Sequence, residues 1–217
     1  MNSANVIGRG RVGSAVAARL EQRGVELRAD GELVLLCVPD RAIAEVARSI
    51  EPGPWVAHVS GATPLAALEP HARRFSVHPL QTFTLARGPE QLDGAWAAVT
   101  AENEDARAVG RALAEMLGLR PFDLADGART LYHAGASIAS NYLVTLYRAA
   151  SRLFEDAGAP PAGLVPLMTR TIENGFELTG PISRGDWAVV EAHLAALHEQ
   201  HPGLEPMYRV LAEATAA

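Results

Sequence analysis

Apolar positions in the first 125 residues alternate between short continuous runs and stretches with helical spacing. The run at 33–38 is rich in branched residues, which is typical of a central parallel strand covered on both faces. Val12, Val16 and Leu20 recur at helical spacing, and Gly24 ends that helix. The pattern predicts strands at 5–8, 25–28, 33–38, 55–59, 75–77, 95–100 and 119–124, and helices at 11–22, 41–50, 64–68 and 105–117. Strands that alternate with helices imply a parallel sheet with right-handed crossovers.

The pattern changes after Asp126, where one helical stretch follows another. Helices are predicted at 127–158, 160–178, 186–200 and 203–216. The first of them is apolar on most sides, so we expect it to be buried. The chain is therefore expected to divide near residue 125 into an α/β domain at 1–125, built on a parallel sheet, and an all-helical domain at 126–217.

Composition argues against several classes of protein. Of 217 residues, 48% are hydrophobic and 20% are charged, a globular mix that argues against disorder. The net charge of −6 argues against nucleic-acid binding, and no apolar run reaches the ~20 residues of a membrane helix. The single cysteine, Cys37, permits no disulfide within the chain, and neither a signal peptide nor a metal-ligand pattern is found. We expect a soluble cytoplasmic protein that binds neither metal, nucleic acid nor membrane.

A glycine-rich turn lies between the first predicted strand and the first predicted helix. It matches the pattern G-x-G-x-x-G, in which the first glycine permits a tight turn, the second lets a pyrophosphate approach the backbone, and the third lets the helix pack on the strand. Free N–H groups at the start of the helix would face the phosphates. The turn is expected to bind a dinucleotide or, in the alternative, to bind nothing; its residues are Gly8, Arg9, Gly10, Arg11, Val12 and Gly13.

The nucleotide half of this predicted site is abbreviated. Residues 14–32 hold the rest of the first helix and one strand, which leaves no room for a second crossover helix (αB) of about a dozen residues. An acidic residue that reads the ribose is expected about 20 residues after the motif begins, and Arg28 stands there instead. Arg28 either favours the 2′-phosphate of NADP(H) over NAD(H) or is a solvated surface residue. We therefore expect weak cofactor binding, with NADP(H) preferred.

Several segments together resemble one family. They are GRGRVG at 8–13, LVLLCVPD at 33–40, HVSGA at 58–62, HPLQTF at 78–83, YHAGASIASNYLVTL at 132–146 and TGPISRGD at 179–186. The chain resembles the Rossmann-like proteins whose C-terminal half is the helical domain of unknown function DUF2520. That group is related in plan to 6-phosphogluconate, 3-hydroxyisobutyrate and prephenate dehydrogenases and to pyrroline-5-carboxylate and ketopantoate reductases. The resemblance implies an NAD(P)-dependent oxidoreductase fold and a homodimer built on the helical domain.

The same resemblance implies roles for further residues. Ser60 and Gly61 would lie under the nicotinamide, although Ser-Gly is also an ordinary turn-forming pair. Arg184 would hold a substrate carboxylate, and the alternative is that its loop only caps the helix that begins at Asp186. The remaining assignments are Val38 and Pro39 to the cofactor and Gln81 to the substrate.

His78 is the candidate proton donor, because it follows a predicted strand where the loops of a parallel sheet gather around a ligand. Its alternative role is that of a loop histidine bonded to backbone. His133, Ser137 and Asn141 are spaced by four residues and form one polar stripe on the predicted long helix. The stripe is either satisfied by other protein groups or lines a wet cleft between the domains. We favour the cleft, with His133 and Asn141 opposite His78 and with Ser137 contacting substrate.

These features predict an NAD(P)H-dependent reductase or dehydrogenase of a small carbonyl, imine or hydroxy-acid substrate. The alternative is a non-catalytic binding or scaffold protein on a degenerate Rossmann fold, which the loss of αB favours. A third possibility is an enzyme that uses another cofactor, such as a deazaflavin, in the same cleft.

Overall fold

The computed structural model describes residues 1–216, and the first part of the chain folds into one seven-stranded sheet. The order across the sheet is 2-1-3-4-5-6-7, and every neighbouring pair is parallel except the fifth and sixth strands. This mostly parallel sheet with helices around it has the predicted Rossmann-like architecture. The strands are β1 (Ser3–Ile7), β2 (Glu26–Leu27), β3 (Leu33–Leu36), β4 (Trp55–His58), β5 (Arg74–Pro79), β6 (Trp96–Ala101) and β7 (Arg120–Asp123).

Three helices cover the faces of the sheet: α1 (Arg11–Gln22), α2 (Asp40–Arg48) and α3 (Glu104–Met116). α1 has the bounds that the sequence predicted. Consecutive side chains of a strand point to opposite faces. In β3, Leu33 and Leu35 accordingly join one buried cluster, with residues of α1 and α3, whereas Val34 and Leu36 join another, with residues of α2. The apolar run is thus a central strand covered on both sides, as predicted.

The direction of β6 corrects the prediction of an all-parallel sheet. His78 pairs with Ala98, and Pro79 with Ala97, in antiparallel register. A parallel neighbour requires a crossover helix, and the connection at 80–95 holds only a short 3₁₀ turn. The antiparallel pairing also carries β5 as far as Pro79, so that His78 lies within a strand rather than after it.

The connection between β5 and β6 is organised by one buried side chain, Gln91. Its Oε1 accepts the backbone N–H of Thr84 at 2.8 Å. Its Nε2 lies within hydrogen-bond distance of the carbonyl oxygens of Thr84, Arg87 and Gly88. These bonds give the connection a defined shape although it contains neither a strand nor an α-helix.

The abbreviated nucleotide half is as the sequence predicted. β2 has two residues, and a turn rather than a helix leads from it to β3. Asn5 Nδ2 donates to the carbonyl of Ala29 at 3.1 Å, which ties this turn to β1. Gly31 passes so close to Ala4 that a Cβ there would lie 2.6 Å from the carbonyl carbon of Ala4. Direct passage from β2 to β3 therefore depends on a glycine.

Helices follow one another after β7, as predicted. A π-helical segment, Ile138–Tyr142, interrupts the single helix expected at 127–158. The helix expected to reach residue 178 ends at Glu173, since Gly175 and Phe176 follow with positive φ of 70° and 63°. The helices are α4 (Arg129–Ser137), α5 (Leu143–Asp156), α6 (Leu164–Glu173), α7 (Trp187–Gln200) and α8 (Glu205–Ala216).

The chain forms two compact units, Met1–Asn141 and a second that begins at Tyr142. The boundary expected near residue 125 coincides with the end of the sheet, whereas the first unit continues through α4. The reason is that α4 begins with Arg129, whose side chain is buried against the sheet. The helical region therefore begins soon after β7, whereas the second compact unit begins only at Tyr142.

Many apolar side chains of the helices are exposed, which corrects the prediction of a buried long helix. Leu131 is 81% exposed and Ile138 is 61% exposed. Within residues 1–216, α5 contributes no buried residue. Helical periodicity identifies an apolar face, but it does not identify the surface that covers it. None of the helices described for residues 1–216 combines the length and apolar character needed to cross a membrane.

Candidate active site

The glycine-rich turn connects β1 to α1 in a conformation that requires its first and third glycines. Gly8 has a φ of 98°, and a Cβ there would collide with the carbonyl oxygen of Cys37. A Cβ on Gly13 would collide with the carbonyl oxygen of Gly8. The turn is therefore packed against both the end of β3 and the start of α1, as the motif predicts.

Gly10 is different, because its Cα faces open space. No heavy atom lies within 4 Å of the position that a Cβ would take. Gly10 is the N-cap of α1, no side chain caps that helix, and no acidic residue occupies its first turn. Arg9 and Arg11 flank this uncapped helix start and are exposed. A free, positively polarised helix start with room above it fits the pyrophosphate of a dinucleotide.

The other residues assigned to the cofactor lie along the carboxyl edge of the sheet. Val38 packs partly buried beneath α2, and Pro39 is the exposed N-cap residue of that helix. Arg28 follows β2 and is exposed, with its Nε 3.4 Å from Asp30 Oδ1. Val12 packs against the larger core cluster, so its side chain supports the turn from inside.

Two histidine rings and a tyrosine meet beside the end of β4. His78 Nδ1 lies 2.8 Å from the Tyr132 hydroxyl. The ring centroids of His78 and His133 are 6.1 Å apart. Gly61 passes directly beneath them, since a Cβ there would lie 2.6 Å from His133 Cδ2 and 2.9 Å from His78 Nε2. The structure brings the predicted residues Gly61, His78 and His133 together, while their roles in binding or catalysis remain predictions.

Arg129 anchors α4 to the sheet next to this cluster. Its side chain is 1% exposed. Nη1 donates to Ser76 Oγ at 2.6 Å and to Thr100 Oγ1 at 2.8 Å, and Nη2 donates to the carbonyl of Ser60. Ser76 and Thr100 face each other across β5 and β6. The sheet thereby fixes the start of α4, and with it the positions of Tyr132 and His133 three and four residues later.

His58 is buried at the end of β4 and paired across the strands with Ser76. Its Nδ1 accepts the backbone N–H of Ser60 at 3.2 Å, so in a neutral ring Nε2 carries the proton. Within residues 1–216, Nε2 has no hydrogen-bond partner. Burial, and then the nearby Arg129 and His78, lower the pKa of His58 from 6.5 to about 3.

The same environment keeps His78 neutral. Burial, followed by the charges of His133 and Arg129, lowers the pKa of His78 from 6.5 to about 4, against an opposing effect of Asp40. At neutral pH the ring is therefore an imidazole and not an imidazolium. An ordinary histidine titrates near neutral pH, and burial removes that property from His78.

One pocket of about 720 Å³ opens beside this cluster, and residues of the first unit line it. Asn141 lies in the π-helical segment, a distortion that frequently occurs at functional sites. The pocket collects much of the predicted site: Arg11, His78, Gln81, His133, Ser137 and Asn141. Other lining residues include Leu80, Thr82, Phe83, Tyr132, Ala136 and Ser140.

Two predicted residues are engaged elsewhere. The Ser60 hydroxyl contacts Asp40 Oδ2 at 2.8 Å and accepts the N–H groups of Ala62 and Thr63, as expected of the turn-forming alternative. Arg184 belongs to the second unit, where its Nε donates to Asp186 Oδ2 at 3.0 Å. Asp186 is the N-cap residue of α7 but makes no side-chain capping bond, because its carboxylate faces Arg184 instead.

Tyr132 and Arg129 were not predicted from the sequence as residues of this site. Both stand on the same helix face as His133, since positions 129, 132, 133 and 136 follow helical spacing. An arginine at the start of an apolar helix, three residues before a tyrosine-histidine pair, was the available signal. Within residues 1–216, no group of histidine, cysteine, aspartate and glutamate side chains is arranged to hold a metal ion.

Lowering the pH from 7 to 4 is expected to reduce the free energy of unfolding by a few kcal/mol. The folded-state pKa values of His58 and His78, about 3 and about 4, lie below the ordinary 6.5, so the unfolded chain binds more protons throughout this window. Stability is therefore fully present above about pH 6.5 and falls as the pH drops towards the folded pKa values, with about 1.4 kcal/mol for each unit of difference.

Urea unfolding at pH 7, 5.5 and 4 measures this loss. His58→Asn keeps an acceptor for the Ser60 N–H but cannot titrate, so its unfolding free energy should depend less on pH than that of the wild type. Identical pH dependence in the two proteins would contradict the assignment to His58.

Comparisons with known proteins identify relatives at the level of family and fold. The family model described as "Domain of unknown function (DUF2520)" matches residues 95–215, which is more than half of the chain. No curated protein matches the sequence.

Several solved structures share the fold over nearly the whole chain. A candidate NADP oxidoreductase from Bacteroides fragilis has a TM-score of 0.82 at 22% identity, covering 99% of this chain and 98% of that one. A protein from Thermotoga maritima has a TM-score of 0.77 at 22% identity, covering 98% of both chains. The reductive aminase from Aspergillus terreus, solved with NADPH and ethyl levulinate, has a TM-score of 0.71 at 16% identity and covers 99% and 93%. At identities this low, the structural similarity establishes a common fold alone.

Proposed function

Because this chain belongs to the DUF2520 family, whose description names no activity, we propose its function from the site in the first unit. The protein is an NAD(P)H-dependent oxidoreductase, a reductase or dehydrogenase that acts on a small carbonyl, imine or hydroxy-acid substrate. Its active site is the pocket beside the glycine-rich turn.

One observation carries this proposal. A single pocket is lined both by Arg11, the first residue of α1 at the glycine-rich turn, and by the cluster of His78, Tyr132 and His133. Groups suited to phosphate and groups suited to hydrogen bonding with a reacting atom therefore surround one cavity. The reductive aminase that shares this fold was solved with NADPH, which supports a nicotinamide cofactor here.

Different residues of the chain bind the cofactor, orient the substrate and hydrogen-bond the reacting atom. A bound nicotinamide supplies or accepts the hydride. The α1 N-terminus at Gly10 binds phosphate, and the absence of a side chain at Gly61 leaves room for the rings of His78 and His133 beside the backbone. His78 hydrogen-bonds the reacting oxygen or nitrogen, whereas Gln81, Ser137 and Asn141 orient the other polar groups of the substrate.

Gly10→Asp is expected to weaken nicotinamide cofactor binding by more than about 10-fold without unfolding the protein. Aspartate is a preferred N-cap residue, and the open space at Gly10 accepts its side chain, so α1 should be retained. Its carboxylate, however, takes the place of the pyrophosphate and repels it, and charge-assisted hydrogen bonds of about 1.5–3 kcal/mol each are lost.

Calorimetry with NADPH and NADH on the wild type and on Gly10→Asp tests this expectation. Gly203→Asp is the matched control, because Gly203 is an exposed glycine of the second unit that also has open space around it. Unchanged affinity in Gly10→Asp would contradict the site. A wild type that binds neither cofactor at millimolar concentration would instead favour the non-catalytic scaffold alternative.

The same titration tests the cofactor preference. We propose weak binding with NADP(H) preferred over NAD(H), since Arg28 stands at the carboxyl end of β2 where an acidic residue would read a ribose hydroxyl. Its ion pair with Asp30 is loose and exposed, so the guanidinium can turn towards a 2′-phosphate. Tight NADH binding with no preference for NADPH would contradict this proposal.

We propose that the protein is a homodimer held mainly by its helices. Side chains left exposed in the second unit include Val165 at 54%, Leu167 at 59% and Phe176 at 72%. Exposed apolar surface on this scale marks an interface, and obligate dimers bury upwards of ~2,000 Å². Light scattering at low micromolar concentration should give twice the 23.0 kDa mass of one chain. A monomer under these conditions would contradict the proposal.

A further inference from the structure

We propose that Tyr132 is a positioning residue that fixes His78 as a donor through Nε2–H, so that the pocket takes a carbonyl oxygen as its reacting atom. This inference rests on the proposed function and narrows its substrate class to aldehydes and ketones. It follows from the direction of one hydrogen bond.

The bond between Tyr132 and His78 can run in either direction, and the surroundings favour donation by the tyrosine. Among residues 1–216, His78 Nδ1 is the one hydrogen-bond partner of the Tyr132 hydroxyl. If Nδ1–H were the donor, the phenol proton of the half-buried Tyr132 would have no acceptor in this part of the chain, which is unfavourable.

Arg129 supports the same direction. Its guanidinium is held by Ser76 and Thr100, one turn before Tyr132 on α4. The positive charge attracts the phenol oxygen and repels the phenol proton, which turns the O–H towards His78. Burial raises the pKa of Tyr132 to about 12 against the lowering effect of Arg129, so the hydroxyl keeps its proton at neutral pH.

A neutral His78 that accepts at Nδ1 must carry its proton on Nε2. That nitrogen faces Gly61, as its 2.9 Å separation from a Cβ at that position indicates, and the ring lines the pocket. An N–H at this position bonds to an atom with a lone pair. A carbonyl oxygen has lone pairs and keeps them until the hydride arrives. An imine takes hydride as its iminium ion, whose nitrogen has no lone pair and whose N–H would oppose the His78 donor.

The arrangement also provides the proton that reduction of a carbonyl requires. As hydride reaches the carbonyl carbon, the oxygen takes the Nε2 proton and Nδ1 takes the phenol proton. The imidazole ends neutral but as its Nδ1–H tautomer, and Tyr132 ends as a phenolate beside the Arg129 guanidinium. Return of the Nδ1 proton to Tyr132, with uptake of a proton from water at Nε2, restores the starting state. This two-step transfer avoids the imidazolium, which is scarce at neutral pH because the pKa of His78 is about 4.

Nitrogen-15 NMR of the protein labelled in histidine tests the proposal without cofactor or substrate, because protonated and unprotonated ring nitrogens resonate in separate ranges. At pH 7 we expect His78 to be protonated on Nε2 and unprotonated on Nδ1. In Tyr132→Phe the two nitrogens should shift towards a mixture of tautomers. Tyr208→Phe is the matched control, since the Tyr208 hydroxyl lies 2.7 Å from His193 Nδ1 and its loss should alter His193 alone.

A His78 protonated on Nδ1 in the wild type would overturn the inference, and so would unchanged His78 signals in a folded Tyr132→Phe. If that variant does not fold, the tautomer of the wild type decides. Kinetics add an independent comparison, in which Tyr132→Phe should lower kcat about 100-fold for a ketone. An equal loss of kcat in the reduction of a preformed iminium would overturn the assignment of a carbonyl oxygen as the reacting atom. Failure of the wild type to bind NADPH or NADH would overturn the proposed function and leave the NMR result standing.

Discussion

Replacing Arg129 by alanine is expected to lower the free energy of unfolding by about 3–5 kcal/mol, a large share of the stability of an ordinary domain. The guanidinium is buried and bonds to Ser76, Thr100 and the carbonyl of Ser60. Removing it leaves buried acceptors without donors at about 1–3 kcal/mol each, and it also leaves a cavity. Urea unfolding at pH 7 measures the loss.

Two further variants separate the contributions to this effect. Arg129→Lys keeps the charge but not the planar fork of donors, so it should recover only part of the lost stability. Arg48→Ala is the control for the loss of an arginine, because Arg48 is exposed in the last turn of α2, and its effect should stay within about 0.5 kcal/mol. A loss below about 1 kcal/mol in Arg129→Ala would show that the sheet does not depend on this anchor.

His78→Ala is expected to lower kcat by about 10²–10⁴-fold for any carbonyl substrate that the wild type reduces, because it removes the hydrogen-bond donor to the reacting oxygen. The affinity for NADPH should change little, since His78 bonds to Tyr132 and not to the glycine-rich turn. Steady-state kinetics, with cofactor titration on the same samples, separate the two quantities.

His198→Ala serves as the control for the loss of a histidine, because His198 is exposed in the second unit and pairs with Glu205. Its kcat should match that of the wild type. A loss of less than 10-fold in His78→Ala would remove this residue from the proposed chemistry. An increase in KM with unchanged kcat would indicate that His78 binds the substrate without acting on the transition state.

Local features of this protein follow from neighbouring residues in the sequence. The bounds of α1, Arg11–Gln22, were predictable because apolar spacing and a terminal glycine both act within one helix. β3 was predictable because an unbroken apolar run suits a strand covered on both faces. The missing αB was predictable by counting, since residues 14–32 cannot hold both a helix of that length and the rest of α1.

The chemistry of the candidate site could be predicted only in part. The glycine-rich turn, His78 and the stripe from His133 to Asn141 were recognisable from residue type and spacing. The neutral state of His78 was not, because a pKa depends on burial and on charges that distant segments supply. Tyr132 was missed for the same reason, since its bond to His78 joins residues 54 positions apart.

The sequence by itself determined the alternation of strands and helices, the cofactor-type turn and the shortened nucleotide half, because each of these depends on contacts within an element or a short connection. Only the tertiary structure decided the antiparallel direction of β6, the burial of Arg129 and the extension of the first unit to Asn141. Each of these depends on hydrogen bonds between distant segments, such as the one from Arg129 to Ser76 across 53 positions. Periodicity along a chain carries no information on which distant acceptor a buried side chain will meet, and packing of the sheet supplies it.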